Sequence, residues 1–311
     1  MKSSASKGNR TDLAHPSDLP QTSPKGRALE GGRSLAIVTG AGTGMGFEEA
    51  RAVAAAGFYT VMACHHPEAA ETKRLQIIRE TGNQDVEILG LELADLSSVR
   101  RFADEIKSRF SRLDLLMNNA GILPAKFHTT TDNLEQTVAV NYVGPYLLTR
   151  LLLPLMGKGS RIVNMVSLTY RYGTLDFPDF FTRGRNGSFW RIPIYSNTKL
   201  ALTLFTFELA ARLKEKGITV NAADPGIVST NIIRLHMFLD TLTDLCFRPL
   251  IRTPRQGADT AIHLLLDKDK EQQTGTFNRS NRIINVGDKF FRHKQMHELW
   301  DRTEDIVRKF L

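Results

Sequence analysis

Cysteine is nearly absent: the 311 residues hold two, Cys64 and Cys246, far apart and without metal-ligand spacing. Neither a disulfide framework nor a zinc site fits that usage, and a reducing, cytoplasmic setting is expected. Long apolar runs are also missing. No apolar segment follows Met1-Lys2, which argues against a secretory signal, and no stretch is expected to reach the apolar length of a stable membrane insertion. The segment Ile232–Ile251 is rather apolar, but Arg234, Asp240, Asp244 and Arg248 interrupt it, so it reads as an amphipathic lid, with contact to a membrane surface as the alternative. Charge of one sign is not concentrated either. The net charge is +8, yet Lys and Arg alternate with acidic residues and no basic run is interleaved with aromatics, so no nucleic acid partner is expected.

What is present is enough apolar material, 41% of residues, for one substantial core. Residues 1–32 are rich in Ser, Gly, Pro, Lys and Arg and read as a disordered tail. Residues 33–290 then alternate short β-branched runs with longer helical periods, and 291–311 read as a helical tail. Strands are expected at Leu35–Thr39, Tyr59–Ala63, Val86–Leu91, Leu113–Met117, Arg161–Val166, Thr219–Ala222 and Arg282–Val286. Helices are expected at Met45–Ala56, Pro67–Glu80, Ser97–Phe110, Leu134–Leu155, Tyr195–Lys214 and Arg255–Leu266. Strand-helix-strand units in this order build an α/β fold, a single-domain Rossmann-type doubly wound parallel sheet with helices on both faces. Ligands of such sheets bind at the carboxyl ends of the strands.

Immediately after the first strand comes Thr39-Gly40-Ala41-Gly42-Thr43-Gly44-Met45-Gly46, which opens a helix. Glycines in that context let the backbone turn tightly and approach a pyrophosphate, whose charge the helix start favours. Further on, Tyr195-Ser196-Asn197-Thr198-Lys199 is expected at the start of a long helix. A spacing of four puts Tyr195 and Lys199 on one face, where an ammonium is expected to lower the phenol pKa and make it a usable acid or base.

With Asn118-Asn119-Ala120-Gly121, these motifs resemble the short-chain dehydrogenase/reductase family over roughly Ser34 to Val286. The resemblance implies a catalytic tetrad of Asn141, Ser167, Tyr195 and Lys199. It casts Tyr195 as general acid or base, Ser167 as a hydrogen-bond donor to the substrate oxygen and Lys199 as a ribose ligand that tunes Tyr195. It also implies cofactor contacts at Gly40, Thr43, Gly44, Met45, Gly46, His65, Asp95, Leu96, Asn119, Ala120, Gly121, Tyr195, Lys199, Pro225, Gly226 and Val228. Asp95 can equally cap the helix that follows it.

The long stretch from Ser167 to Tyr195, with Tyr170, Tyr172, Phe177, Phe180, Phe181, Phe189 and Trp190, resembles the retinol-dehydrogenase-like branch, as does Leu299-Trp300. It implies substrate-side loops at 167–195 and 227–252 and a small-molecule apolar carbonyl or alcohol substrate, retinoid-, steroid- or aryl-carbonyl-like, with Met237, Phe238 and Leu239 contributing. The turn Cys64-His65-His66-Pro67 has no acidic residue before Glu68, so NADP(H) is favoured, with NAD(H) possible. Family members pair through the equivalents of Leu134–Leu155 and Tyr195–Lys214, so a homodimer or homotetramer is expected. The alternative function is a non-catalytic NAD(P)-binding sensor or scaffold on the same fold.

Overall fold

Alternation along the strands decides how the chain is layered. In β1 (Leu35–Thr39), Leu35 and Ile37 enter one hydrophobic cluster while Ala36 and Val38 enter another on the opposite face. In β2 (Tyr59–Cys64), Val61 and Ala63 share the first cluster, Met62 and Cys64 the second. Both faces are covered, which is why these strands carry almost no polar residues. A computed structural model describes residues 34–177, 179–182, 189–228, 252–291 and 293–311; the expected disordered tail and most of the 227–252 lid lie outside the described residues.

The other strands are β3 (Val86–Gly90), β4 (Leu115–Asn118), β5 (Arg161–Met165), β6 (Thr219–Asp224), β7 (Phe277–Arg279) and β8 (Arg282–Ile283). They form one sheet in the order β3-β2-β1-β4-β5-β6-β7-β8, parallel except for the antiparallel β7–β8 pair. The sequence pattern puts the last strand at Arg282–Val286. Instead the seventh parallel strand is Phe277–Arg279, and the chain turns back through Ser280 and Asn281, both at positive φ, so that Arg282–Ile283 becomes the antiparallel edge.

Helices α1 (Gly44–Ala55), α2 (Pro67–Thr81) and α6 (Pro254–Leu266) cover one face; α3 (Leu96–Arg109), α4 (Gln136–Leu155) and α5 (Arg191–Leu213) cover the other. Contrary to expectation, α4 does have the length and hydropathy to cross a membrane, but 94% of that window is buried inside the protein. Its apolarity is that of a core helix packed on all sides.

The C-terminal segment is not an appended tail. In α7 (Met296–Val307), Leu299, Trp300 and Val307 join the same core cluster as α4 and α5. Tyr142 meets Thr303 at 2.8 Å, the Tyr146 hydroxyl donates to Glu304 at 2.5 Å, and Arg150 pairs with the same carboxylate. The two helices expected to meet a partner subunit are therefore already packed against an element of their own chain.

One core position runs against the pattern. Glu49 on α1 is fully buried, and neither carboxyl oxygen has a hydrogen-bond partner among the described residues. Burial alone holds its pKa well above the ordinary carboxylate value. A carboxyl whose pKa is raised on folding binds its proton more tightly in the native state, so stability falls as pH climbs from the unfolded carboxylate range towards the folded pKa. Glu49→Met is expected to stabilise the protein by about 1–3 kcal/mol, with a larger gain at pH 8 than at pH 5. Denaturant titrations at the two pH values measure it; equal stability of the two proteins at both would refute it.

Candidate active site

The sheet order reverses at β1, whose neighbours are β2 and β4, and a crevice opens beyond the carboxyl ends of these strands. The glycine loop forms its floor. Gly40 and Gly44 sit at positive φ, and a Cβ on Gly46 would lie 2.3 Å from the Gly40 carbonyl oxygen and 2.5 Å from Asn119 Nδ2. The turn is thus as tight as its composition predicts. Thr43 opens α1 without a side-chain cap and the first turn carries no acidic residue, which leaves its N–H groups and the positive end of the dipole for an anion. Asn119 braces the loop, its Nδ2 donating to the Thr39 carbonyl at 3.0 Å and its backbone N–H to Thr39 Oγ1 at 3.0 Å.

A cavity of about 560 Å³ runs over this floor, lined by Gly40, Thr43, Gly44 and Met45 from the loop, His65 beyond β2, and Asn119, Ala120 and Gly121 beyond β4. Glycine loop, uncapped helix start and a cleft that runs past the ends of β1, β2 and β4 together fit a dinucleotide. Gly46 packs behind the loop rather than facing the cleft. Asp95 and Leu96 do not line it either. Asp95 caps α3, accepting from the Ser97 N–H at 2.9 Å, and Leu96 is fully buried in the core. Their expected place is taken by Glu92 and Leu93, three residues earlier. Glu92 Oε2 lies 2.5 Å from His65 Nε2, its Oε1 accepts from the Ala94 N–H at 2.7 Å, and the His65 ring lies 4.0 Å from that of His66, the two planes tilted by 36°. Ile122, Gln136, Val140 and Pro254 also line the wall and carried no sequence signal.

Asn141 lies in a π-helical turn of α4, Ala139–Val143, of the kind that re-aims a side chain at functional sites. Its Oδ1 accepts from the Ile122 N–H at 2.8 Å and its Nδ2 donates to the Ile122 carbonyl at 3.0 Å, so it locks the chain just after Gly121. Lys199, also buried, donates from Nζ to the Met165 carbonyl at 2.8 Å. A Cβ on Gly121 would lie 3.4 Å from Asn141 Oδ1 and 3.6 Å from Lys199 Nζ, which places both beside the cleft. Ser167 follows β5, its Oγ accepting from the Thr169 N–H at 3.3 Å and lying close enough to the Tyr195 phenol to lower its pKa. Helix α5 begins at Arg191, so Tyr195 sits in its second turn rather than at its start. Pro193 in the first turn suits a helix entry. All four tetrad residues meet at one end of the sheet.

The electrostatics depart from expectation. Burial pushes the Tyr195 phenol up, to about 12, against the opposing pull of the Ser167 hydroxyl, with Asp224 adding to the rise. Lys199 Nζ stands 5.5 Å from the ring centroid and is itself drawn down by burial, to about 8, against the attraction of Asp224. Desolvation outweighs the lysine field that the spacing alone suggests.

Pro225, Gly226 and Val228 follow β6 and lie outside the cavity lining. Gly226 is at positive φ with its N–H on Asp224 Oδ1 at 3.1 Å, and Val228 is buried and bridges Arg252. Among the aromatics between Ser167 and Tyr195, Tyr170, Phe180 and Phe181 are core residues, whereas Tyr172 and Trp190 are 81% and 72% exposed. Met237, Phe238 and Leu239 lie outside the described residues.

Known proteins with the same organisation are numerous. Residues 34–180 and 182–236 match the pattern of the family described as short chain dehydrogenase. Human retinol dehydrogenase 11 is 34% identical over 276 residues, 88% of this chain and 85% of that protein. Human retinol dehydrogenase 14 is 34% identical over 290 residues, 87% and 85% of the two. An uncharacterised protein from Mycobacterium paratuberculosis superposes with a TM-score of 0.70 at 28% identity, over 94% of this chain and 97% of that one. A short chain dehydrogenase from Burkholderia cenocepacia, solved with NADP, superposes at 0.63 and 24% identity, over 79% and 95%.

Proposed function

Since the chain belongs to the short-chain dehydrogenase family, and so is an oxidoreductase acting on CH–OH and C=O groups, we propose that its substrate is a bulky apolar carbonyl or alcohol and that NADP(H) is its preferred cofactor. The observation that carries the catalytic reading is the convergence of Asn141, Ser167, Tyr195 and Lys199 beside the dinucleotide cleft. When bound, the nicotinamide supplies or accepts the hydride. Ser167 donates to the substrate oxygen, where negative charge develops in reduction, and Tyr195 delivers the proton to that oxygen. A phenol pushed up to about 12 is protonated at neutral pH, the state that reduction requires, so alcohol oxidation should quicken with rising pH. Lys199 holds its place on Met165 and Asn141 fixes the Ile122 segment beside it.

The apolar substrate reading is supported by the exposed Tyr172, Trp190, Ile192 and Ile227, which flank Ser167, Tyr195 and Gly226 in the chain. It is also supported by the retinol dehydrogenase names of the relatives, which make a retinoid one candidate beside steroids and aryl carbonyls. His65 at the cleft and the absence of an acidic residue before Glu68 support NADP(H), as does the NADP bound to the Burkholderia relative. A homodimer or homotetramer would use a surface other than the faces of α4 and α5 that α7 covers.

One steady-state screen tests both points. Retinoids, steroids, aryl carbonyls and small polar ketones are each assayed with NADPH and NADH near neutral pH. The expected result is a higher kcat/KM for the apolar classes and for NADPH, with the cofactor preference shrinking in His65→Asp. Small polar ketones far ahead of every apolar class would overturn the substrate reading. A tenfold preference for NADH, about 1.4 kcal/mol the wrong way, would overturn the cofactor reading.

A further inference from the structure

Asp224 ends β6 with its side chain buried, one strand from the point where Lys199 is tied to β5. A carboxylate withdrawn from water must be paired or hydrogen-bonded to persist, and the contacts of Asp224 all belong to the catalytic end of the sheet. Its Oδ1 accepts from the Gly226 N–H at 3.1 Å, so it ties the Pro225–Gly226 turn. Its Oδ2, equally buried, has no hydrogen-bond partner among the described residues. Arg279, its register partner on β7, stands with Nε 3.7 Å from Oδ2. The other charged or titratable groups facing it are Arg252 beyond the turn, Arg171 after Ser167, and Lys199 and Tyr195 on α5.

We propose that Asp224 is a positioning residue of the catalytic centre, whose buried carboxylate fixes the turn after Asp224 itself and stands across the β5–β6 pair as the counter-charge to Lys199. This rests on the catalytic reading above. Physically, Lys199 is enclosed and has a carbonyl, not a carboxylate, as its direct partner, so burial drives it towards neutrality. Asp224 acts the other way on Lys199, as does the Met165 carbonyl that accepts from its Nζ. Arg279 draws on the same carboxylate from the outer side and limits what Lys199 receives.

The test is a titration of Lys199 by carbon NMR in the cofactor-free protein, with the signal assigned by its loss in Lys199→Met, followed by the pH profile of kcat/KM. In Asp224→Asn, which keeps the oxygen acceptor for Gly226 and removes the charge, the Lys199 titration is expected to move down by about one unit, a tenfold change in the protonation equilibrium. The kcat/KM deficit should then approach tenfold above pH 8 and vanish near pH 6. Arg279→Gln, at a half-exposed position, should move the titration the opposite way, and it probes the same coupling even if Asp224→Asn fails to fold. An unchanged Lys199 titration in either folded variant, or an activity loss equal at every pH, overturns the proposal. Because the NMR titration needs no turnover, a wild type inactive on every substrate would count against the catalytic reading, while the titration still decides the coupling.

Discussion

Tyr195→Phe is expected to lower turnover by about two to four orders of magnitude, the usual worth of a positioned proton donor. The ring stays, so its packing in the second turn of α5 should survive, and Lys199 remains anchored on the Met165 carbonyl. What is lost is the hydroxyl beside Ser167 that holds a transferable proton at neutral pH. The residues that line the cleft are untouched. Cofactor affinity, read by calorimetry, should therefore stay within a few-fold of wild type while kcat collapses. Retention of most of the activity would remove Tyr195 from its role.

The second large effect concerns stability. Trp300 lies on α7 with its ring 5.2 Å from Tyr146, edge-on, and 6.0 Å from Phe205, and guanidinium groups of Arg212 and Arg150 stand 3.9 and 5.2 Å from its centroid. Truncating a buried tryptophan costs about 3–5 kcal/mol, and cation–π contacts in a desolvated site add to that. Trp300→Ala should thus lose about 4 kcal/mol or more against urea, whereas Trp300→Phe should recover part of it. The protein has only two tryptophans, Trp190 exposed and Trp300 buried, so the blue-shifted emission should vanish in the alanine variant. A loss below about 1 kcal/mol would mean that α7 contributes little to the core.

The strands and helices that could be read from the sequence are those with long, unbroken apolar periods. β1 and α2 fall within a residue of expectation because both faces of one, and a proline start and Gly82 end of the other, are written locally. β7 has three residues, too few for any period to show, and its more apolar neighbour Arg282–Val286 took its place. At the end of β3 two acidic residues stand three apart, and composition cannot tell which one faces the cleft. The structure has a helix cap at Asp95 and a cleft wall at Glu92. The tetrad was legible as a set of residue types, but its electrostatics were not, since spacing shows which charges are near and nothing of how much water they have lost. Asp224 stood unread beside Pro225-Gly226 for the same reason.

The link between α4 and α7 spans 158 positions, from Tyr146 to Glu304. Until α7 has left the ribosome, the hydroxyls of Tyr142 and Tyr146 and the guanidinium of Arg150 lack the carboxylate and threonine of α7 that receive them, and the flank of α4 that α7 covers lies open to water. Contacts this distant in sequence form late and slowly. The helix carrying Asn141 is therefore closed by a stretch made long after it, so a chain truncated before Met296 is expected to leave its catalytic layer uncovered and open to aggregation.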